Sequence, residues 1–264
     1  MAKCQFTSHY YDYERKAGVD YNCESKDEDI LPSGLCIFHD ENYLKDDKDN
    51  RKERGQKVRD KLIDKVRNSV DQNEALLCIG YHLPDITIRK VNFDIPVYFQ
   101  KCEFQGKAEF PLTTFSGEAD FTSAKFSGKA SFFGAKFSGE AAFHTATFAK
   151  EANFSSATFS GEARLSKTNF KEITDFSGAI FQKEADFNQA AFFDRTYFSD
   201  SSPDLGTFNG ETRFNYVLFE AEEKIIFEVQ DLSKVSFANT DITRVRFSET
   251  ARWGEGKKIK TDSN

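Results

Sequence analysis

The chain is poor in the features that most readily reveal a function. Its 264 residues hold one Trp, one Met and five Pro. The longest strongly apolar run, Ala75 to Tyr81, falls far short of the roughly 20 residues that cross a bilayer. The N-terminus, MAKCQFTSHYYDYERK, lacks the apolar core of a signal peptide, so a cytoplasmic protein is expected. There are five Cys, at Cys4, Cys23, Cys36, Cys78 and Cys102. An odd count without a secretion signal speaks against a disulfide framework. No G-x-S-x-G elbow, phosphate-binding Gly loop, dinucleotide fingerprint or H-E-x-x-H occurs, and an enzyme is not expected. The net charge of -7, from 43 acids and 36 bases, favours solubility and names no partner.

What the chain has in excess is Phe, 29 residues of it. From Phe93 the positions recur at alternating steps of six and five, through Phe99, Phe104, Phe110 and Phe115 to Phe198; of 20 such stations, 19 are Phe and one is Leu165. Neither a helix, with its period near 3.6, nor a half-buried strand, with its period of 2, gives this spacing. Two residues before each station stands a small or β-branched residue, usually Ala (Ala119, Ala124, Ala130, Ala135). A separation of two places both side chains on one face of extended backbone. Every five or six residues the chain therefore points one large and one small group inward and turns. Gly often follows a station by two, as at Gly106, Gly117, Gly128, Gly139 and Gly161, where the corner needs either positive φ or space. Four short sides per turn make a solenoid coil of about 22 residues. The rhythm breaks at 199–207, SDSSPDLGT, a turn-rich insertion. About seven coils, a rod on the order of 30–35 Å long, are expected.

On these residues the chain resembles the pentapeptide-repeat proteins, whose unit has a central Leu or Phe with Ala two residues before it. The resemblance covers about 85–247. Its FSGEADF units are similar to the Phe-rich branch of that family, and NTDITRVRF to the standard unit. It implies a mainly β, right-handed quadrilateral parallel β-helix and a non-catalytic scaffold for protein–protein interaction. Certain members present an acidic rod to DNA gyrase. Between 99 and 198 there are 12 acids and 11 bases, a poor copy of DNA; 199–231, with eight acids and two bases, is the acidic exception.

The first quarter is different. Cys4, Cys23, Cys36 and His39 make a three-cysteine, one-histidine set, an ordinary tetrahedral zinc complement. The C-x2-H spacing in GLCIFHD lets one turn present two ligands. Residues 1–48 have little core of their own, so a metal would supply folding energy. Some Phe-rich pentapeptide-repeat proteins resemble this plan, with a CIFH-like string ahead of the helix. The 18-residue gap between Cys4 and Cys23 leaves His9 as a competing ligand. Cys78 and Cys102 read as core, and His82 and His144 as isolated.

A helix is expected from about 50 to 79, with Val58, Leu62, Ile63, Val66 and Val70 on one stripe; within 49–84 it would cap the solenoid. From Lys45 to Arg67 there are ten bases against six acids, which with the Cys/His module gives a second reading, nucleic-acid binding. The tail, 248–264, offers only Trp253 as a plug, and an open last coil favours a homodimer through the β-helix end.

Overall fold

The computed structural model describes residues 2–12, 16–25, 29–45, 50–202, 206–220 and 225–254. An antiparallel hairpin, β1 (Thr7–Asp12) and β2 (Ala17–Asn22), opens the chain. Helix α1 (Arg51–Gln72) follows. From Leu76 onward the backbone winds into a parallel solenoid of about eight turns.

Its walls are four stacks of two- to four-residue strands. The first face runs from Leu76–Leu77 through Val97–Tyr98 and Ala119–Asp120 to Val235–Ser236, eight strands in all. The second runs from His82–Leu83 to Leu218–Phe219, the third from Ile86–Thr87 to Val245–Phe247, and the fourth from Asn92–Phe93 to Ile180–Phe181. Partners in the regular part lie 22 residues apart: Thr114 beside Lys136, Ala119 beside Ala141, Lys125 beside Thr147. In the last coil the offset contracts to 20, as Ile225 beside Val245, which is the strict five-residue repeat wound on the same four sides.

The stations point inward as expected, and Phe99, Phe121, Phe132 and Phe143 are fully buried. Rings on successive coils stack at strand spacing: Phe121 on Phe143 at 5.0 Å and 3°, Phe126 on Phe148 at 4.5 Å and 1°. Neighbouring columns meet edge to face, as Phe121 with Phe132 at 5.3 Å and 79°, the arrangement the ring quadrupole favours. Ala119, Ala124 and Ala135 are equally buried and leave the width that the rings fill.

The two kinds of side have different corners. In the five-residue side the turn holds a left-handed residue three positions before the next station, at Lys101, Leu112, Ser123, Thr145, Ser156 and Lys167. The six-residue side carries the Gly. There the reason is space, not φ: a Cβ on Gly139 would stand 2.5 Å from the Gly117 carbonyl oxygen, and one on Gly161 2.0 Å from that of Gly139.

Three expectations change. The helix stops at Gln72, where Asn73 turns left-handed and caps it. The first coil then begins at Leu76, inside the 49–84 stretch assigned to helix and connection. That coil is the extra turn: its stations are Cys78, Leu83, Ile88 and Phe93, and one residue is missing between Leu83 and Ile86 relative to Phe104 and Ala108. The helix stripe is also only half used. Val58 and Leu62 are buried against the first coil, but Ile63 is 52% exposed and Val70 40%.

The insertion after Ser199 is tied down by Asp200, which accepts from Thr207 N at 2.7 Å, Thr207 Oγ1 at 2.9 Å and Gln230 N at 2.7 Å. Beyond it, Asp231–Leu232 pairs with Arg252–Trp253. Trp253 lies edge-on to Phe247 at 5.0 Å. The tail from 255 lies outside the described residues, as do 203–205 and 221–224 of the acidic stretch.

Candidate metal centre

The hairpin explains the wide gap between the first two cysteines. Its base is closed by Cys4 N donating to Ser25 O at 3.1 Å and Cys23 N donating to Phe6 O at 3.2 Å. The residues between are looped out as β1 and β2, and Cys4 returns beside Cys23. The other pair comes from one turn, closed by His39 N donating to Cys36 O at 2.9 Å. Cys4, Cys23, Cys36 and His39 are all buried, and their ligand atoms lie within 4.8 Å of one another.

The separations test whether an ion fits. Ligands placed tetrahedrally at about 2.3 Å for sulfur and about 2.0–2.1 Å for nitrogen stand about 3.5–3.8 Å apart. Cys23 Sγ and Cys36 Sγ are 3.7 Å apart, and Cys4 Sγ is 3.6 Å from His39 Nδ1. Cys36 Sγ to His39 Nδ1 is tighter, at 3.2 Å. Behind the imidazole, His39 Nε2 donates to Ile79 O at 2.9 Å. A carbonyl only accepts, so the proton sits on Nε2 and the Nδ1 lone pair faces the thiols, the second-shell device that orients metal-bound histidines. Phe6 stacks flat on the ring at 3.8 Å and Tyr81 meets it edge-on at 5.0 Å.

Packed together, the three thiols divide in their titration. The Cys36 thiol, donating to Cys23, holds that thiol far below its usual range, at about 3. The same bond, with burial, pushes Cys36 up, and burial raises Cys4. Cys36 N donates to Cys4 Sγ at 3.3 Å. Crowded thiols that share charge this way release protons when a dication enters.

His9 is not part of the group. It is exposed and its Nδ1 lies 3.1 Å from Asp20 Oδ1. Cys78 and Cys102 are core, with Cys102 Sγ donating to Cys78 O at 2.6 Å. The two histidines that looked isolated have partners one coil away. His82 Nδ1 is 3.3 Å from Glu103 Oε2, with burial lowering the imidazole pKa, and His144 Nδ1 is 2.8 Å from Ser166 Oγ. The signal for both was the coil period: partners sit 21 or 22 positions along the chain.

The winding also sorts charge. The register of the first face stacks Glu118, Glu140, Glu162, Glu184 and Glu211 on successive coils. Asp120 and Asp186 join them, against Arg164 and Arg213. Arg164 bridges Glu140 at 2.9 Å and Glu162 at 3.3 Å, and Arg213 pairs with Glu184. Burial pushes Glu140 up to about 7.

Comparison with known proteins gives one result. A family model described as pentapeptide repeats, nine copies long, matches residues 110–158 and again 154–202. No curated protein and no solved structure matches the chain.

Proposed function

The chain is a pentapeptide-repeat protein, and from that premise we propose a non-catalytic scaffold that binds another protein, with an N-terminal module held by structural zinc on Cys4, Cys23, Cys36 and His39. The observation that carries the scaffold reading is the first face: a rod near charge balance over 99–198 gathers five stacked glutamates on one wall at strand pitch. A rigid, regular wall on which acids outnumber Arg164 and Arg213 suits a basic partner surface and steers its approach. Zinc is supported by the donor set and its spacing, since thiolate-rich tetrahedral sites select that ion.

The test is affinity purification from native lysate with the wild-type chain and with a variant reversed at Glu162 and Glu184. A partner retained by the first and lost by the second supports the scaffold; no reproducible partner, together with a measured turnover, overturns it.

The same acidic wall favours a second reading, mimicry of DNA toward an enzyme such as gyrase. A supercoiling assay in which the protein neither inhibits nor protects removes it. Nucleic-acid binding by α1 is less supported, because several of its cations are engaged: Lys61 with Asp29 at 3.1 Å, Arg67 with Asp64 at 3.1 Å, and Arg54 with Tyr43 O at 3.1 Å. A homodimer would use the last coil, where Phe237, Val245, Phe247 and Trp253 are only partly buried; light scattering decides it. No helix among the described residues is long and apolar enough to cross a membrane.

A further inference from the structure

Helix α1 carries more apolar surface than its capping role uses. Val58 and Leu62 are buried and close the first coil, and Gly55 lies beside the Pro84 ring. The remainder of the stripe turns outward. Ile63 and Val70 are exposed, and Val66 is half-buried. Across the groove stand Ile86, on the first strand of the third face, and Ile88 and Val91 on the chain that follows it. Between helix and strand runs a groove of about 390 Å³.

Its chemistry is one-sided. The floor is Leu62, Ile63, Val66, Ile86, Ile88 and Val91, and the charged groups at its rim are Arg59 and Arg89, with no acid among the lining residues. The Arg59 guanidinium donates to the Gln56 amide oxygen at 2.8 Å, and Arg89 is exposed and makes no ion pair among the described residues. Acids around the groove have other partners: Glu109 accepts from Thr87 Oγ1 at 3.0 Å, Asp85 from Lys107 N at 2.7 Å and Asp60 from Gln56 Nε2 at 2.7 Å, and Asp64 pairs with Arg67. An apolar trough with a cation at each side selects a ligand with the complementary pattern.

We propose that this groove docks an acidic amphipathic helix of a protein partner, its apolar ridge lying along Ile63 and Val66 toward Val70 beyond the groove, and its carboxylates reaching Arg59 and Arg89. The proposal rests on the scaffold reading and names the kind of partner one surface takes. A helix fits because the exposed Ile63, the half-buried Val66 and the exposed Val70 recur at three and four, the spacing whose ridges and grooves another helix meets. A second copy of this chain fits poorly: α1 lies in a stretch with ten bases and six acids, so self-docking sets like charge against like. An anionic membrane shares the charge, but a flat surface does not enter a trough between helix and strand.

The experiment uses the full chain. A displayed library of short helical peptides is selected on the immobilised protein, and the enriched peptides are measured against wild type, Ile63→Asp and Arg89→Glu. Both substituted side chains are exposed, and Trp253 emission with the far-ultraviolet spectrum checks the fold of each variant. Enriched peptides should carry aliphatic or aromatic residues three to four apart, flanked by Asp or Glu. Each substitution should weaken binding about tenfold or more, and added salt should weaken it further. No enrichment, enrichment of basic peptides, or binding indifferent to both substitutions overturns the proposal. So does attachment to phosphatidylserine vesicles, or a self-association, that Ile63→Asp abolishes. If wild type retains a cellular partner that both variants also retain, the groove proposal fails while the scaffold reading stands.

Discussion

His39 donates from Nε2 to the Ile79 carbonyl oxygen across 2.9 Å. Ile79 belongs to the first coil, so the imidazole that offers Nδ1 to the thiols also fastens the module to the rod. Lys101 adds a second tie, donating to His9 O at 2.8 Å and Ser8 Oγ at 3.0 Å. The Cys/His cluster, the candidate metal centre, is therefore a joint between two parts that fold for different reasons. The hairpin segment has few buried side chains of its own, whereas the rod is held by columns of buried Phe.

That division predicts a split response to metal removal. A strong chelator, or His39→Ala, should open the N-terminal module and leave the rod folded. Limited proteolysis should cut within 2–45 while 76–254 resists. The effect should be large, because structural zinc supplies on the order of 10 kcal/mol or more in small metal-dependent domains. Loss of the whole fold at once would contradict the joint.

Gly139→Ala should destabilise the rod by about 1–3 kcal/mol, since its Cβ would stand 2.5 Å from the Gly117 carbonyl oxygen. Gly206→Ala is the control, with its nearest atom 3.9 Å away, and should change little. Thermal melts of the two variants compare close approach with open space.

Phe132 and Phe133 are adjacent in sequence and opposite in environment: Phe132 is fully buried and Phe133 is 44% exposed. Phe132→Ala should cost about 3–5 kcal/mol. Phe133→Ser should stay within about 0.5 kcal/mol. Denaturant midpoints measured at constant slope are the readout.

Those two residues also show why so much of the fold was legible. Phe132 stands on the six-and-five clock and Phe133 does not, and the clock is a direct image of a coil in which every side buries one ring. The first coil escaped notice because its stations are Cys78, Leu83 and Ile88, and one residue is missing after Leu83, so both composition and phase fail there. Its smaller side chains lie where Val58 and Leu62 must fit. The four clustered side chains, Cys4, Cys23, Cys36 and His39, stand out by residue type, but the hairpin that returns Cys4 to Cys23 does not, since its alternation is broken by Gly18 and runs of polar residues. The acidic wall was invisible for another reason. Balance over 99–198 is a sum along the chain, and only the 22-residue register shows that Glu118, Glu140 and Glu162 share a face. Half of the α1 stripe was misread because periodicity marks apolar residues without saying what covers them.

The C-terminal coil should respond to acid. Asp231 is held down to about 2, first by the hydrogen bond from the Arg252 guanidinium. A carboxyl with a depressed folded pKa stabilises the fold above its unfolded value, near 3.8. That contribution is lost as pH falls through about 2. Because the pair joins Asp231–Leu232 to Arg252–Trp253, the single Trp should report it. Trp253 emission should shift on acidification below about pH 4, and in Asp231→Asn this pair's contribution to the transition should disappear. An unchanged acid transition in that variant would count against the pair.

The central claim, a structural zinc joint at the head of a scaffold rod, is tested most directly by the metal content of untagged protein purified without chelator. About one zinc per chain is predicted, lost in Cys36→Ser while the rod keeps its far-ultraviolet spectrum. A folded module in which Cys4, Cys23 and Cys36 react fully as free thiols, with no metal bound, would contradict it.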